Sequence, residues 1–352
     1  MNRNPDSRRK AFILPLLFLM ALFFSGSVSA GGSDFREKLG QIKAKNLAYY
    51  EFKAATDLID RVGTAPDFVL DYWSGQDGRR YTAHGLSADE RDIFRQCLDD
   101  LPETYKNVLK ERLIGIFVVE DFLGSGLADY VLDANDKIYS ILLFNPTVLR
   151  VSLSELVTQK ERTCFIFDRP DMSITVNLNN QLPGLLYILL HEATHIVDYI
   201  NKYTPYVEPD MLKIQGESSG ARPFTERLWA DYTQLKDNYS FAYKDRITFY
   251  GMSQGPKISI SEAADAYRAM EGVPVASLYG ALNWAEDLAE YMTFLYLTRI
   301  KGTDYTITAW DNGKVIYQYR PFENKKVLER EQELPLTFEG GPAAGGMGIK
   351  SL

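Results

Sequence analysis

Apolar positions crowd most densely at residues 185–200. There Leu185, Leu186, Ile188, Leu189, Leu190, Ile196, Val197 and Ile200 wrap most of a helical wheel and predict a buried helix. Upstream, an irregular stripe of Phe35, Leu39, Ile42, Leu47, Phe52 and Leu58 predicts helix over 34–61. Gly, Pro, Asp and Tyr then predict irregular chain over 63–85. Ser87 with Glu90 three residues later is a capping box, and Ile93, Phe94 and Leu98 follow on one helical face. After Pro102 a short helix is predicted over 103–113. Strands are predicted over 114–119, over 138–144 before Asn145-Pro146, and over 164–167 and 174–178 around the turn at 168–171.

Downstream of the buried helix, residues 205–262 are rich in Tyr, Lys, Asp and Gly and lack a clean period, which predicts an insertion that roofs or flanks a cleft. Helices are predicted over 263–270 and 276–300, and a β-hairpin over 303–319 around Asp311-Asn312-Gly313. The order gives an α+β fold with a small mixed sheet and a mainly helical C-terminal half. Its expected divisions are an extension at 31–85, a main domain at 86–300 containing the insertion, a hairpin region at 301–338 and a disordered tail at 339–352. An edge strand beside the buried helix is expected in 173–179 or 138–144.

Composition alters this picture at the N-terminus. Arg8-Arg9-Lys10, an apolar run over 11–24 and small residues ending Val28-Ser29-Ala30 have the three parts of a secretory signal peptide, expected to be cleaved near Ala30. The run is short for a spanning helix, so a membrane is expected as a partner only if the segment stays uncleaved. The whole chain has 39 basic and 47 acidic residues; without residues 1–30 the balance is 35 to 46. That excess of negative charge, with no basic patch interleaved with aromatics, argues against nucleic acid as a partner. Cys97 and Cys164 are not spaced as metal ligands, and are expected either as one disulfide or as two buried free thiols. Export places the mature chain as secreted or periplasmic.

Only three histidines occur in the chain, and two of them lie four apart in His191-Glu192-Ala193-Thr194-His195, within the buried helix. Positions i and i+4 share a helical face, so both imidazoles converge on one cation with Glu192 between them, the HExxH pattern of zinc peptidases. Burying these three ionisable groups among aliphatic residues is costly unless something compensates them, and a divalent cation does so. A catalytic zinc takes three protein ligands, which leaves one to be found on another helix. Glu286 in the stretch from Tyr279 to Tyr291 is the candidate, with Glu290 one turn on as a hydrogen-bonding partner for a ligating imidazole. Glu262, Asp265 and Asp287 are alternative ligands. Asp198, seven residues after His191 on the same face, is expected to hydrogen-bond around the ligands.

Two segments, His-Glu-x-x-His-x-x-Asp and Tyr-Gly-x-x-Asn-x-Ala-Glu-x-x-Ala-Glu, resemble the catalytic domain of the anthrax lethal factor family, a gluzincin-type group of zinc endopeptidases. They are carried here by His191, Glu192, His195 and Asp198, then by Tyr279, Gly280, Asn283, Ala285, Glu286, Ala289 and Glu290. The resemblance implies a zincin-like metallopeptidase fold, zinc held by His191, His195 and Glu286, Glu192 as general base, and Tyr279 as the group that stabilises the oxyanion. The chain departs from that family in the longer separation between the two segments, filled by the tyrosine-rich insertion. The expected activity is hydrolysis of peptide or protein substrates. The alternatives are amide hydrolysis on cell-wall peptides and a non-catalytic binding or maturation factor with a structural metal.

Overall fold

The computed structural model describes residues 32–216 and 220–338. The expected signal segment 1–30 and tail 339–352 therefore lie outside the described residues. The fold is α+β with small sheets. In chain order the helices are α1 (Gly32–Gln41), α2 (Asp67–Asp77), α3 (Ala88–Asp99), α4 (Glu103–Arg112), α5 (Leu153–Arg162), α6 (Gly184–Asn201), α7 (Pro209–Gln215), α8 (Pro223–Leu228), α9 (Ala263–Met270), α10 (Trp284–Leu295) and α11 (Lys325–Leu328). The strands are β1 (Val62–Gly63), β2 (Thr82–Ala83), β3 (Leu113–Glu120), β4 (Gly126–Leu132), β5 (Ile138–Phe144), β6 (Phe165–Ile166), β7 (Met172–Asn177), β8 (Ile258–Ser259), β9 (Thr306–Asp311) and β10 (Lys314–Tyr319). Among the described residues no helix is long and apolar enough to cross a membrane.

The main sheet runs β1-β3-β5-β4, with β2 also paired to β3. Strands β1, β3 and β5 are parallel and β4 is antiparallel to β5. Because β3 and β5 are covered on both faces, their sequences are apolar at nearly every position, not only at every second one. Ile116, Val118, Leu142 and Phe144 face the core built on α3, α4 and α6. Phe117, Val119, Ile141 and Leu143 face the other way, onto Ala65, Val69, Trp73 and Tyr81. Within 31–85, expected as an extension, the described residues from 32 onward thus supply an outer layer and two strands of this sheet. They are fastened to it by the buried Lys45–Asp129 ion pair and by Arg61, which donates to the carbonyls of Leu109 (2.9 Å) and Lys110 (2.7 Å) at the end of α4.

Several local expectations change. Residues 34–61 are helical only to Gln41, followed by short 3-10 turns, because Tyr50 and Phe52 turn onto Phe68 and Tyr139 instead of continuing one stripe. The edge strand beside α6 is β4. Of the two stretches expected there, 138–144 is the buried strand between β3 and β4, and 172–177 lies in the separate sheet β10-β9-β7. The hairpin β9–β10 turns through Asn312 (φ 48°) and Gly313 (φ 71°), both left-handed as a two-residue type I′ turn requires. Its pairing with β7 joins it to the main body. Within 205–262, Phe224, Leu228, Trp229, Ile247, Phe249 and Ile258 belong to the principal core, so much of the expected roof is interior. Cys97 and Cys164 are buried free thiols.

Candidate metal centre

Two helices build the centre. The first, α6, is buried along nearly its whole length, as its apolar circumference dictates. It starts against α5 at Gly184, where a Cβ would lie 3.1 Å from Leu156 Cβ and 3.1 Å from the Val151 carbonyl, a close approach that a larger residue would have to push apart by a few tenths of an ångström. It ends at Lys202 in the left-handed conformation, with the Lys202 N–H returned to the Asp198 carbonyl. The second, α10, begins later than the expected 276. Asn283 caps it by accepting from the N–H groups of Ala285 and Glu286 at 3.0 Å each, which places Glu286 in the first turn. Residues 276–283 form a buried turn, pinned where Ser277 Oγ accepts from Gly280 N–H at 2.9 Å.

Packing α6 on α10 brings His191, His195 and Glu286 together; they are the group of potential metal ligands found among the described residues. His191 Nε2 lies 3.1 Å from Glu286 Oε2, His195 Nε2 lies 3.5 Å from the same oxygen, and the two Nε2 atoms are 3.2 Å apart. Donors about 2.0–2.1 Å from a tetrahedral zinc sit about 3.3 Å from one another. The three separations match that edge length, and two imidazoles with one carboxylate are a zinc donor set, so the residues fit the ion. Glu262, Asp265 and Asp287 are engaged elsewhere: Glu262 with Arg246, Asp265 with Arg268, and Asp287 with Arg330 and Trp229.

The surrounding groups are equally definite. Glu290 Oε1 lies 3.1 Å from His191 Nδ1 in ion-pair contact, off hydrogen-bond alignment. Glu192 is buried and its Oε2 accepts from the Ala128 N–H of β4 at 2.8 Å. The Tyr279 ring centroid is 5.9 Å from that of His191, and the ring is walled by Phe249 (5.0 Å) and Tyr250 (6.2 Å) from the insertion. Asp198 spends both carboxylate oxygens on Thr204, accepting from its N–H (2.6 Å) and hydroxyl (2.7 Å). It therefore fastens the end of α6 and reaches His195 only through charge, which corrects the hydrogen-bonding role expected of it. His84 stands apart from the donor group, with Nδ1 2.6 Å from Glu120 and Nε2 3.1 Å from Glu90.

Sequence reasoning missed the backbone of Ala128 and the side chains of Lys160, Tyr187 and Ser277, which gather on Glu290. Tyr187 had a signal, since it precedes His191 by one helical turn; Lys160 had none, because a lysine near the end of a polar helix reads as solvated.

Charge in the centre is finely opposed. Burial alone would lower the His191 pKa, but the carboxylates of Glu286 and Glu290 push it up to about 10. Burial likewise favours the neutral form of Glu286, yet the charge of His195 and the hydrogen bonds from both imidazoles hold it at about 2. Glu192 is shifted up by burial, against the nearby histidines. In the absence of a cation His191 is thus protonated at neutral pH, and a ligating imidazole must be neutral. Zinc uptake at pH 7 is expected to release a proton, and affinity to rise with pH, by about tenfold per unit for each proton released. Calorimetric titration in two buffers of different ionisation enthalpy measures this; equal heats in both would sink the assignment of His191 as a proton-bearing ligand. Comparison of the chain with protein-family models, with curated proteins and with solved structures yields no match.

Proposed function

We propose that the chain is a zinc-dependent peptidase acting outside the cytoplasm, with a zincin-like arrangement of active helix and edge strand. The observation that carries this reading is the triplet of donor atoms from His191, His195 and Glu286 at tetrahedral spacing, with Glu192 on the same helix face. Zinc held there would supply Lewis acidity, polarising the scissile carbonyl and acidifying water. Glu192 takes the proton of the attacking water and gives it to the leaving amine. Its Oε2 is held by Ala128, which leaves Oε1 for the proton, and burial shifts its pKa upward, which favours taking that proton. Tyr279, whose phenol burial keeps well above its ordinary pKa, stays protonated and donates to the developing oxyanion.

A peptide is favoured over other amides by β4. The Ala128 N–H points away from β5, and in an antiparallel strand the outward groups recur every second residue, so the Ala128 carbonyl and both backbone groups of Tyr130 face the same side. An extended substrate can add to that edge beside Glu192.

The test is zinc content of the purified chain beside H195A and E286A, followed by a peptide-library digest and a panel of cell-wall fragments. One zinc per chain, weakened in both variants, with peptide cleavage, is expected. Cleavage confined to cell-wall fragments would favour the amidase, and tight zinc without any hydrolysis would favour a structural site. No zinc in the parent chain would end the reading.

A further inference from the structure

Lys160, on α5, is 3% exposed and lies within the core behind the candidate centre. Its Nζ donates to Glu290 Oε2 at 2.6 Å and to the Tyr187 hydroxyl at 2.6 Å, while that hydroxyl donates to Glu290 Oε1. Ser277 Oγ also donates to Oε2, at 2.6 Å, and is the third donor on this carboxylate. The carboxylate is thereby held on both oxygens, with Oε1 against His191 Nδ1. The ammonium also sits 4.9 Å from the ring centroids of both Tyr187 and Tyr279 and 5.6 Å from that of Phe294. Burying an ion pair is a poor way to gain stability, since apolar residues of the same volume do as well or better. What this pair does provide is a fixed orientation for the two groups it touches.

We propose that Lys160 is a positioning residue for the metal centre: through Glu290 it fixes the ring of His191, and through the face of Tyr279 it seats the phenol proposed to hold the oxyanion. This rests on the metallopeptidase reading, and the experiment separates the two. Zinc affinity is measured by competition with a chromophoric chelator, and ligand geometry by the visible absorption of the cobalt-substituted protein, for the parent, K160M, K160R, E290Q and K160M/E290Q. A parent chain that binds neither metal overturns the metal centre itself. Where the parent binds, K160M is expected to lose roughly 10- to 100-fold in zinc affinity, the range for loss of a group that orients a ligand, with an altered cobalt spectrum. K160R should recover part of both. In zinc affinity the double variant should be no weaker than E290Q, because Lys160 reaches the ligand His191 only through Glu290; its contact with Tyr279 does not touch a ligand. A folded K160M with parental affinity and spectrum overturns the proposal, as does additivity in the double variant. If K160M does not fold, K160Q, which retains a donor for Glu290 without the charge, is judged by the same two readouts.

Discussion

Replacing Glu192 by Gln is expected to leave the zinc content at one per chain and to lower peptide hydrolysis by about 10²- to 10⁴-fold, the usual worth of a positioned general base. The substitution is close to isosteric. The amide oxygen of Gln accepts from the Ala128 N–H as the carboxylate does, so α6 and β4 stay in register and His191, His195 and Glu286 are undisturbed. Only the capacity to take a proton is lost. The partial charge of the site also changes, since Glu192 feels both histidines, so a modest change in zinc affinity is compatible with the role. Single-turnover hydrolysis by zinc-loaded E192Q decides it: turnover at the parental rate would remove Glu192 from the chemistry, and loss of zinc would make it structural.

The two histidines of the candidate centre were legible because their information is local, whereas Glu286 comes from 95 residues further along the chain. His191, Glu192 and His195 are fixed by helical periodicity within five residues, and the apolar wrap around them announced a buried helix. The Ser87–Glu90 capping box and the Asn312-Gly313 turn are local in the same sense, and both occur at the positions read for them. What failed depends on distant partners. Strand β4 carries Asp129 in its middle, which looks wrong for a buried strand until Lys45, 84 residues earlier, is placed against it. The run 138–144 was one of two stretches expected to be the edge strand, and it is interior because β3 and β4 pair along its two sides, partners that its own residues do not reveal. Asp198 sat at the right helical position to serve the histidines, but the left-handed turn at Lys202 brings Thr204 back onto it. Lys160 belongs to the same class: 130 residues separate it from Glu290, and nothing in its own neighbourhood distinguishes it from a surface lysine.

The largest stability effect is expected from Arg330→Met. Arg330 is fully buried and grips Asp287 through two nitrogens at 2.8 and 2.7 Å, with further donation to the carbonyls of Pro274 (2.9 Å) and Phe224 (3.0 Å). Its guanidinium lies 3.7 Å from the centroid of the Phe224 ring. Asp287 follows Glu286 in the first turn of α10 and also accepts from Trp229 Nε1 at 2.9 Å, so one carboxylate ties this end of the helix to both the insertion and the C-terminal segment. Methionine fills much of the volume but leaves the buried Asp287 carboxyl without its cation. Breaking one side of a buried pair in this way costs about 3–5 kcal/mol, read as a lowered urea midpoint with little change in slope. Removing the stranded charge as well, in R330M/D287N, should recover a substantial part of that loss, because the penalty lies in the uncompensated carboxylate more than in the absent bond. The same comparison bears on the metal centre. If the Asp287 anchor sets the first turn of α10, zinc affinity should fall in folded R330M and return partly in the double variant. A loss below about 1 kcal/mol, the scale of an exposed pair, would mean that this end of α10 holds its place without Arg330.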